Sequence, residues 1–378
     1  MTIGLKISLF LTVAVCFGAD SAPLIALESD TTRFIQETWK CSETKNSLPF
    51  NESAPISTCT NGVMDVPYSS RSYFYDDQTL ESDRCDPADR SGQQPCASYT
   101  KGAFFLSGKV LEYDVDLSRT QCGCNAAIYL VDMATNDQLS TCGDHYCDAN
   151  GICGTYCTEI DLMEANSVAW KTVIHHKFDR SGDGFGWGRW LVNEKGFRLL
   201  DGNGEVYFEC LYGPSAECAI DTTEVFHASF VFSDTSSAPG EFFSFQTILS
   251  QDGRSIIATP IRYSMPTPYV NDDQLSESLS NMKLAESIDE GLTLVASYWG
   301  GPNVDSMFWL DMPCDEEGCR DVFTDRSWSW ICSGSGETNC DQSYRVSNIK
   351  VSSVLDFDYN AAATAGGITS FFVSDFDP

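Results

Sequence analysis

The chain has 378 residues, 42% of them apolar, and this is long enough to bury a large hydrophobic core. Its 54 acidic residues outnumber 23 basic ones, and the net charge of −31 excludes nucleic acid and anionic membrane surfaces as partners. The acidic residues are spread along the chain rather than grouped in blocks, so we attribute most of this charge to solubility.

The amino terminus has the pattern of a secretory signal peptide. Lys6 precedes an apolar run that ends near Gly18 and is too short to cross a bilayer. We therefore predict a leader at 1–18 and a secreted, extracellular protein. Residues 19–355 are predicted to form a single domain, and 356–378, which contain a run of small residues, a flexible tail.

Seventeen cysteines, sixteen of them outside the leader, predict a disulfide framework whose connectivity cannot be read from sequence. Zinc is the alternative, because Cys142 with Cys147 and Cys314 with Cys319 have the spacing of ligand pairs. An oxidising compartment argues against it, and we predict no metal and no cofactor. The sequon at 51–53 predicts a glycan.

Strand patterns dominate the rest of the chain. Alternating or continuous apolar residues predict strands at 110–117, 125–131, 225–232, 291–299 and 345–354. The best candidate for a helix is 275–288. Many strands with turn residues between them predict an all-β sandwich of two antiparallel sheets.

Residues 158–167 bring three carboxylates into one further predicted strand. Glu159 and Asp161 are two apart and share a face, whereas Glu164 would point to the opposite face of an unbroken pleat. A β-bulge between Asp161 and Glu164 restores the parity, and bulges are common beside active sites. Like charges this close disfavour simultaneous ionisation, so we predict that one carboxyl holds a proton near neutral pH.

An acidic run of this kind is usually a solvated face, and that is the structural alternative. A proton donor beside a carboxylate is, however, also what retaining glycoside hydrolysis requires, with the pair about 5 Å apart. Residues 157–167, Cys-Thr-Glu-Ile-Asp-Leu-Met-Glu-Ala-Asn-Ser, closely resemble Cys-Ser-Glu-Met-Asp-Ile-Trp-Glu-Ala-Asn-Ser, the signature of glycoside hydrolase family seven, the fungal-type cellulases. The trailing Ala-Asn-Ser argues against the related laminarinase-like enzymes. The resemblance implies a concanavalin-like β-sandwich, or jelly roll, whose long disulfide-stapled loops form a substrate cleft.

The resemblance extends over about residues 35–352 and includes the motifs at 122–129, 146–148, 297–299 and 307–311. The family's Cys-Gly-Leu-Asn-Gly-Ala-Leu-Tyr, for example, resembles Cys-Gly-Cys-Asn-Ala-Ala-Ile-Tyr here. By this likeness the sugar-binding residues are Asn125, Tyr129, Tyr146, Asp148, His175, Trp299, Trp309 and Arg326. His176 and Arg320 are alternatives to His175 and Arg326, and core packing is the alternative for each tryptophan.

The chain also departs from the family pattern. Met163 replaces the signature tryptophan, and Tyr156 replaces one cysteine of a Cys-Cys pair, which puts one family disulfide in doubt. Only nine residues separate Cys147 from Cys157, where tunnel-forming relatives carry a long covering loop. We therefore predict an open cleft and cleavage within the polymer.

The resulting hypothesis is a secreted retaining β-1,4-glucanase that cleaves cellulose or a related β-glucan. Glu159 is the predicted nucleophile, Glu164 the acid and base, and Asp161 a hydrogen-bonding partner of Glu159. The expected partner is the polysaccharide alone, bound by a monomer with no cellulose-binding module. The alternatives are a processive cellobiohydrolase, a non-catalytic carbohydrate-binding relative and a disulfide-rich cell-wall protein.

Overall fold

The structure is a computed structural model that describes two short amino-terminal strands, most of the chain between 57 and 357, and one short carboxyl-terminal strand. The described residues are 24–25, 37–38, 57–74, 104–133, 140–141, 146–175, 190–192, 198–201, 204–207, 210–233, 243–258, 261–263, 277–300, 307–311, 314–315, 318–319, 340, 342–357 and 372–373.

Strands make up most of the described residues. In chain order they are β1 Leu24–Ile25, β2 Glu37–Thr38, β3 Thr58–Thr60, β4 Val63–Pro67, β5 Ser70–Tyr73, β6 Lys109–Asp116, β7 Cys124–Val131, β8 Glu159–Ala165, β9 Trp170–His175, β10 Trp190–Val192, β11 Arg198–Asp201, β12 Gly204–Tyr207, β13 Cys210–Gly213, β14 Cys218–Asp221, β15 Phe226–Phe232, β16 Phe243–Gln251, β17 Arg254–Ala258, β18 Ile261–Tyr263, β19 Thr293–Gly300, β20 Cys314–Asp315, β21 Gly318–Cys319, β22 Ser343–Ser353 and β23 Phe372–Val373. The helices are α1 Glu277–Glu290, α2 Phe308–Asp311 and a 3-10 turn at Val354–Asp356. None of the helices among these residues is both long and apolar enough to cross a membrane.

Two large sheets build the domain. The first has six antiparallel strands in the order β10-β9-β8-β7-β19-β5. The second has nine, in the order β23-β17-β16-β15-β6-β22-β4-β3 with β18 paired to β16. Its pairings are antiparallel except between β17 and β23. The remaining described strands form two-stranded sheets, of which β13 and β14 are parallel.

The main hydrophobic core lies between the two sheets. It draws alternate residues of β6, β15 and β22 from the larger sheet and of β7, β8, β9 and β19 from the smaller one. Trp170 of the smaller sheet stacks on Phe230 of the larger one, with ring centroids 6.4 Å apart. The alternation along each strand therefore sends one set of side chains inward and leaves the opposite face of the smaller sheet for other contacts.

The all-β sandwich predicted from sequence is confirmed. The predicted strands correspond to β6, β7, β15, β19 and β22, and the predicted helix to α1, each displaced by at most two residues at either end. The leader, the sequon and Arg326 lie outside the described residues. The division into domains stays a prediction. Within the predicted tail at 356–378, the short strand Phe372–Val373 pairs with β17.

Two disulfides are described in full. Cys124 pairs with Cys340, and Cys147 pairs with Cys157. Because Cys147 is bonded to Cys157, it is not available for the zinc pair with Cys142 that the spacing allowed. Cys314 and Cys319 lie opposite each other where β20 pairs with β21.

Candidate active site

The predicted bulge lies in β8. In the pairing with β7, Met163 is opposite Ile128 and Asp161 is opposite Tyr129, so Leu162 is the extra residue. The pairing with β9 shifts at the same place, between Asp161 and Glu164. The neighbours Leu162 and Met163 are both buried in the core between the sheets. Two consecutive inward side chains reset the alternation, as the sequence predicted.

The three carboxylates therefore share the cleft face of the smaller sheet, which we define as the face directed away from the main core. Asp161 is 5% exposed, whereas Glu159 and Glu164 are partly buried. The charge of Asp161 acts on both glutamates and raises the pKa of each, second only to the effect of burial. The strand thus places two partly accessible carboxyls on either side of a buried one.

Glu159 is held by the segment that precedes β8. The backbone N–H of Ala149 donates to Glu159 Oε2 at 2.9 Å. Burial raises the pKa of Glu159 well above its usual value, the nearby charges of Asp161 and Asp148 raise it further, and His175 and the Ala149 hydrogen bond oppose the shift. A carboxyl in this setting shares protons with its neighbours rather than titrating alone.

Asp161 contacts β9 through His175. The distance from His175 Nε2 to Asp161 Oδ2 is 3.1 Å, and both side chains are buried. The resemblance predicted a sugar contact for His175; in the structure its ring contacts Asp161, so it can orient the central carboxylate.

Glu164 is paired with groups of two neighbouring strands. Asn125 Nδ2 of β7 donates to Glu164 Oε1 at 3.4 Å, and Lys171 Nζ of β9 is 3.7 Å from Oε2. Burial and the charge of Asp161 raise the pKa of Glu164 to about 7, although Lys171 and His175 lower it. A carboxyl with this pKa is protonated in a useful fraction of molecules near neutral pH, as a general acid requires.

Two tyrosines lie beside the Glu159 end of the site. The hydroxyl oxygens of Tyr129 and Tyr146 are 3.0 Å apart, and burial raises the pKa of both phenols. Arg71 of β5 places its guanidinium carbon 3.5 Å from the centroid of the Tyr146 ring. Both tyrosines were predicted to bind sugar, and the structure buries them in a small cluster on the cleft face.

Asp148 organises the segment that the Cys147–Cys157 disulfide closes. Its Oδ1 accepts from the backbone N–H of Ile152 at 3.0 Å, and its backbone forms a bridge with Tyr156. Burial raises the pKa of Asp148. Tyr156 itself is 48% exposed. Asp148 was predicted as a sugar contact, and in the structure it shapes the turn whose Ala149 N–H reaches Glu159.

The two predicted tryptophan platforms lie together. Trp299 at the end of β19 is 39% exposed, and its ring centroid is 6.1 Å from that of Trp309, with a tilt of 30°. Trp309 packs on a small cluster formed by Ala169, Met307 and Leu310. Trp299 is therefore the more accessible of the two rings.

A buried hydrogen-bond network anchors α2, the short helix that carries Trp309. Asp311 Oδ2 accepts from Gly123 N and from Asn166 Nδ2, both at 2.6 Å. The Asn166 side chain also donates to the carbonyl of Cys124 and accepts from Ala169 N. Burial raises the pKa of Asp311 to about 6. The network links the segment after β8 to the tryptophans.

Sequence reasoning missed Arg71 and Lys171. The pairing of β8 with β9 sets Lys171 opposite Glu164, and Lys171 is four residues from His175 on the same strand. Alternation along β9 was therefore a signal that could have placed Lys171 on the cleft face once His175 was assigned. Arg71 offered no such signal, because β5 is short and buried throughout.

The curated proteins similar to this chain include fungal endoglucanases. No family model matches the chain. An endoglucanase type C of Fusarium oxysporum is 24% identical over 262 residues, which are 56% of this chain and 57% of that protein. Endoglucanase EG-1 of Hypocrea jecorina is 29% identical over 233 residues, 54% of this chain and 46% of that protein. The chain spans about half the length of the curated relatives it matches.

Among solved structures, a GH7 family cellobiohydrolase from Daphnia pulex is 18% identical and covers 79% of this chain and 80% of its own, with a TM-score of 0.44. The signature around the three carboxylates, the bulge that brings them to one face and the endoglucanase relatives support the resemblance of this chain to glycoside hydrolase family seven.

Proposed function

We propose that the chain is a secreted retaining β-1,4-glucanase that hydrolyses internal bonds of cellulose or a related β-glucan as a monomer. The observation that carries the proposal is the Leu162 bulge, which sets Glu159 and Glu164 on one face with Asp161 between them. The relatives from Fusarium oxysporum and Hypocrea jecorina are endoglucanases, which supports the same activity.

In the first half of the reaction, Glu159 attacks the anomeric carbon and the glycosidic C–O bond breaks. Glu164 transfers its proton to the leaving oxygen, so that the released sugar departs neutral. The pKa of about 7 for Glu164 supports this role, because the proton is present on the free enzyme and is released under modest driving force.

In the second half, Glu164 is a carboxylate and removes a proton from water, which attacks the anomeric carbon. The bond to Glu159 breaks, Glu159 leaves as a carboxylate, and the sugar retains its β configuration. Asp161, which His175 contacts at 3.1 Å, lies between the two glutamates on the same face of the sheet.

The reactive form carries its proton on Glu164 and a negative charge on Glu159. Burial disfavours that charge, while the Ala149 N–H and the neighbouring His175 favour it. Because coupled carboxyls titrate as a set, the activity should follow the population of this one protonation state rather than the pKa of a single residue.

Cleavage inside the polymer is supported by the segment between Cys147 and Cys157. Its ends are tied together by the disulfide, so it is too short to arch over a bound chain. The exposed Trp299 ring offers an apolar face on which a sugar can stack at the open side of the site. The predicted leader and the disulfides support the proposal that the protein is secreted.

Substrates with different leaving groups distinguish the role of Glu159 from that of Glu164. Glu159→Gln should reduce hydrolysis of both an aryl β-cellobioside and a soluble cello-oligosaccharide by more than about 1,000-fold, since no covalent intermediate forms. Glu164→Gln should spare bond cleavage of an aryl glycoside whose phenolate needs no proton, and should abolish hydrolysis of the oligosaccharide. Glu112→Gln, on the larger sheet, is the matched control.

Proton NMR of the first product formed by the wild-type enzyme completes the test, and the β anomer is expected. An α anomer as the first product would refute the retaining mechanism. Equal losses on both substrates in Glu164→Gln would refute the acid assignment. Sugar binding without hydrolysis in the wild type would identify the chain as a carbohydrate-binding relative.

A further inference from the structure

Lys171 is a buried cation on the cleft face beside Glu164. The residue is 7% exposed, and the register of β8 against β9 sets it opposite Glu164. Its ammonium is 3.7 Å from Glu164 Oε2. Burying an ammonium is costly unless it is paired, so this position calls for a specific partner in the folded protein.

Trp309 provides the second contact of the same ammonium. Lys171 Nζ is 4.5 Å from the centroid of the Trp309 ring, a distance at which the ring face attracts a cation. Trp309 is itself fixed, because α2 is anchored through Asp311 to Gly123 and Asn166. The ammonium therefore bridges a carboxyl of the reaction centre and an anchored indole ring.

We propose that Lys171 is a positioning residue for the general acid, holding the Glu164 carboxyl against the Trp309 side of the cleft and stabilising the carboxylate that forms when Glu164 gives up its proton. This rests on the proposed function of Glu164. The Lys171 ammonium contacts Glu164 and the Trp309 ring, so its effect on the reaction is exerted through Glu164.

The charged groups around Glu164 have opposite effects on its ionisation. Asp161, on the same strand, opposes ionisation of Glu164, whereas Lys171 and His175 of β9 favour it. Asn125 of β7 adds a neutral hydrogen bond. Negative charge grows on Glu164 as the leaving oxygen is protonated, so a fixed cation at Oε2 stabilises that stage more than the starting state.

The test compares Lys171→Met, which keeps the length of the side chain without its charge, with Lys171→Arg, which keeps the charge. The alkaline limb of the kcat/KM profile on a cello-oligosaccharide should move up by about one pH unit in Lys171→Met and stay in place in Lys171→Arg. Lys171→Met should also lose more activity on the oligosaccharide than on an aryl cellobioside, because only the oligosaccharide needs the acid for bond cleavage. Lys171→Gln is a second neutral variant should Lys171→Met fail to fold.

A titration that needs no turnover separates this inference from the proposed function. The carboxyl carbon of Glu164, followed by NMR on protein labelled at glutamate and assigned by Glu164→Gln, should titrate about one unit higher in Lys171→Met than in the wild type. An unchanged midpoint and an unchanged alkaline limb in a folded neutral variant would overturn the role of Lys171. A wild-type protein inactive on every β-glucan would instead refute the proposed function. The titration would still show whether the charge of Lys171 lowers the pKa of Glu164.

Discussion

At the scale of single residues, loss of the proton from Glu164 sets the alkaline limit of the reaction. Its pKa of about 7 means that the acid form is present below neutral pH and is lost as the pH rises through that value. We expect kcat/KM for a cello-oligosaccharide to fall about tenfold for each pH unit above the pKa of Glu164. Activity that stays level to pH 9 would show that Glu164 is not the acid.

Asp311 gives a second prediction at this scale. Its folded-state pKa of about 6 exceeds the unfolded value of 3.8, so its favourable contribution is complete below about pH 4 and is lost as the pH rises to 6. Gly123 N and Asn166 Nδ2 both donate to Oδ2, so Asp311→Asn can keep these two hydrogen bonds without a charge.

The unfolding free energy of Asp311→Asn relative to the wild type should therefore rise by about 2 kcal/mol between pH 4 and 7. Denaturant unfolding at a series of pH values measures this difference, in which the titration of all other groups cancels. Parallel stability curves for the two proteins would contradict the account of the buried carboxyl.

At the scale of elements, the segment closed by Cys147 and Cys157 connects stability with catalysis. Removing this disulfide with the double substitution Cys147→Ser and Cys157→Ser should cost about 2–3 kcal/mol, as expected for a loop of this length. The variant should also lose kcat, because the Ala149 N–H that supports the charge on Glu159 is no longer fixed. Thermal unfolding measures the loss of stability, and kinetics well below the melting temperature measure the loss of kcat. An unchanged kcat would refute the proposed support of Glu159 by the Ala149 N–H.

The elements also show what sequence could predict. The bulge in β8 followed from the parity of Glu159 and Glu164, because only an extra residue could bring both to one face. A second bulge, in β22 between Ser347 and Lys350, was not foreseen. There Asn348 has a φ of 54° and donates to Asp114 Oδ2 at 2.6 Å, and this bond depends on a strand far away in sequence.

At the scale of the whole molecule, the sandwich was predictable because alternation marks the strands that face the core. The order of the strands was not, since it depends on pairings between distant segments such as β6 with β22. The same limit applies to the site. The motif named Glu159, Asp161 and Glu164, whereas Lys171 and Arg71 become site residues only through the registers that set them beside Glu164 and Tyr146.

We propose that this chain cleaves β-glucan chains internally, with Glu159 as the nucleophile and Glu164 as the acid and base. The most direct measurement follows the viscosity of carboxymethyl cellulose and the release of reducing ends together, for the wild type and for Glu159→Gln. We predict a rapid fall in viscosity with few reducing ends for the wild type, and no change for the variant. Slow loss of viscosity with cellobiose as the main product of unsubstituted cellulose would contradict the open cleft, and equal activity of Glu159→Gln would contradict the mechanism.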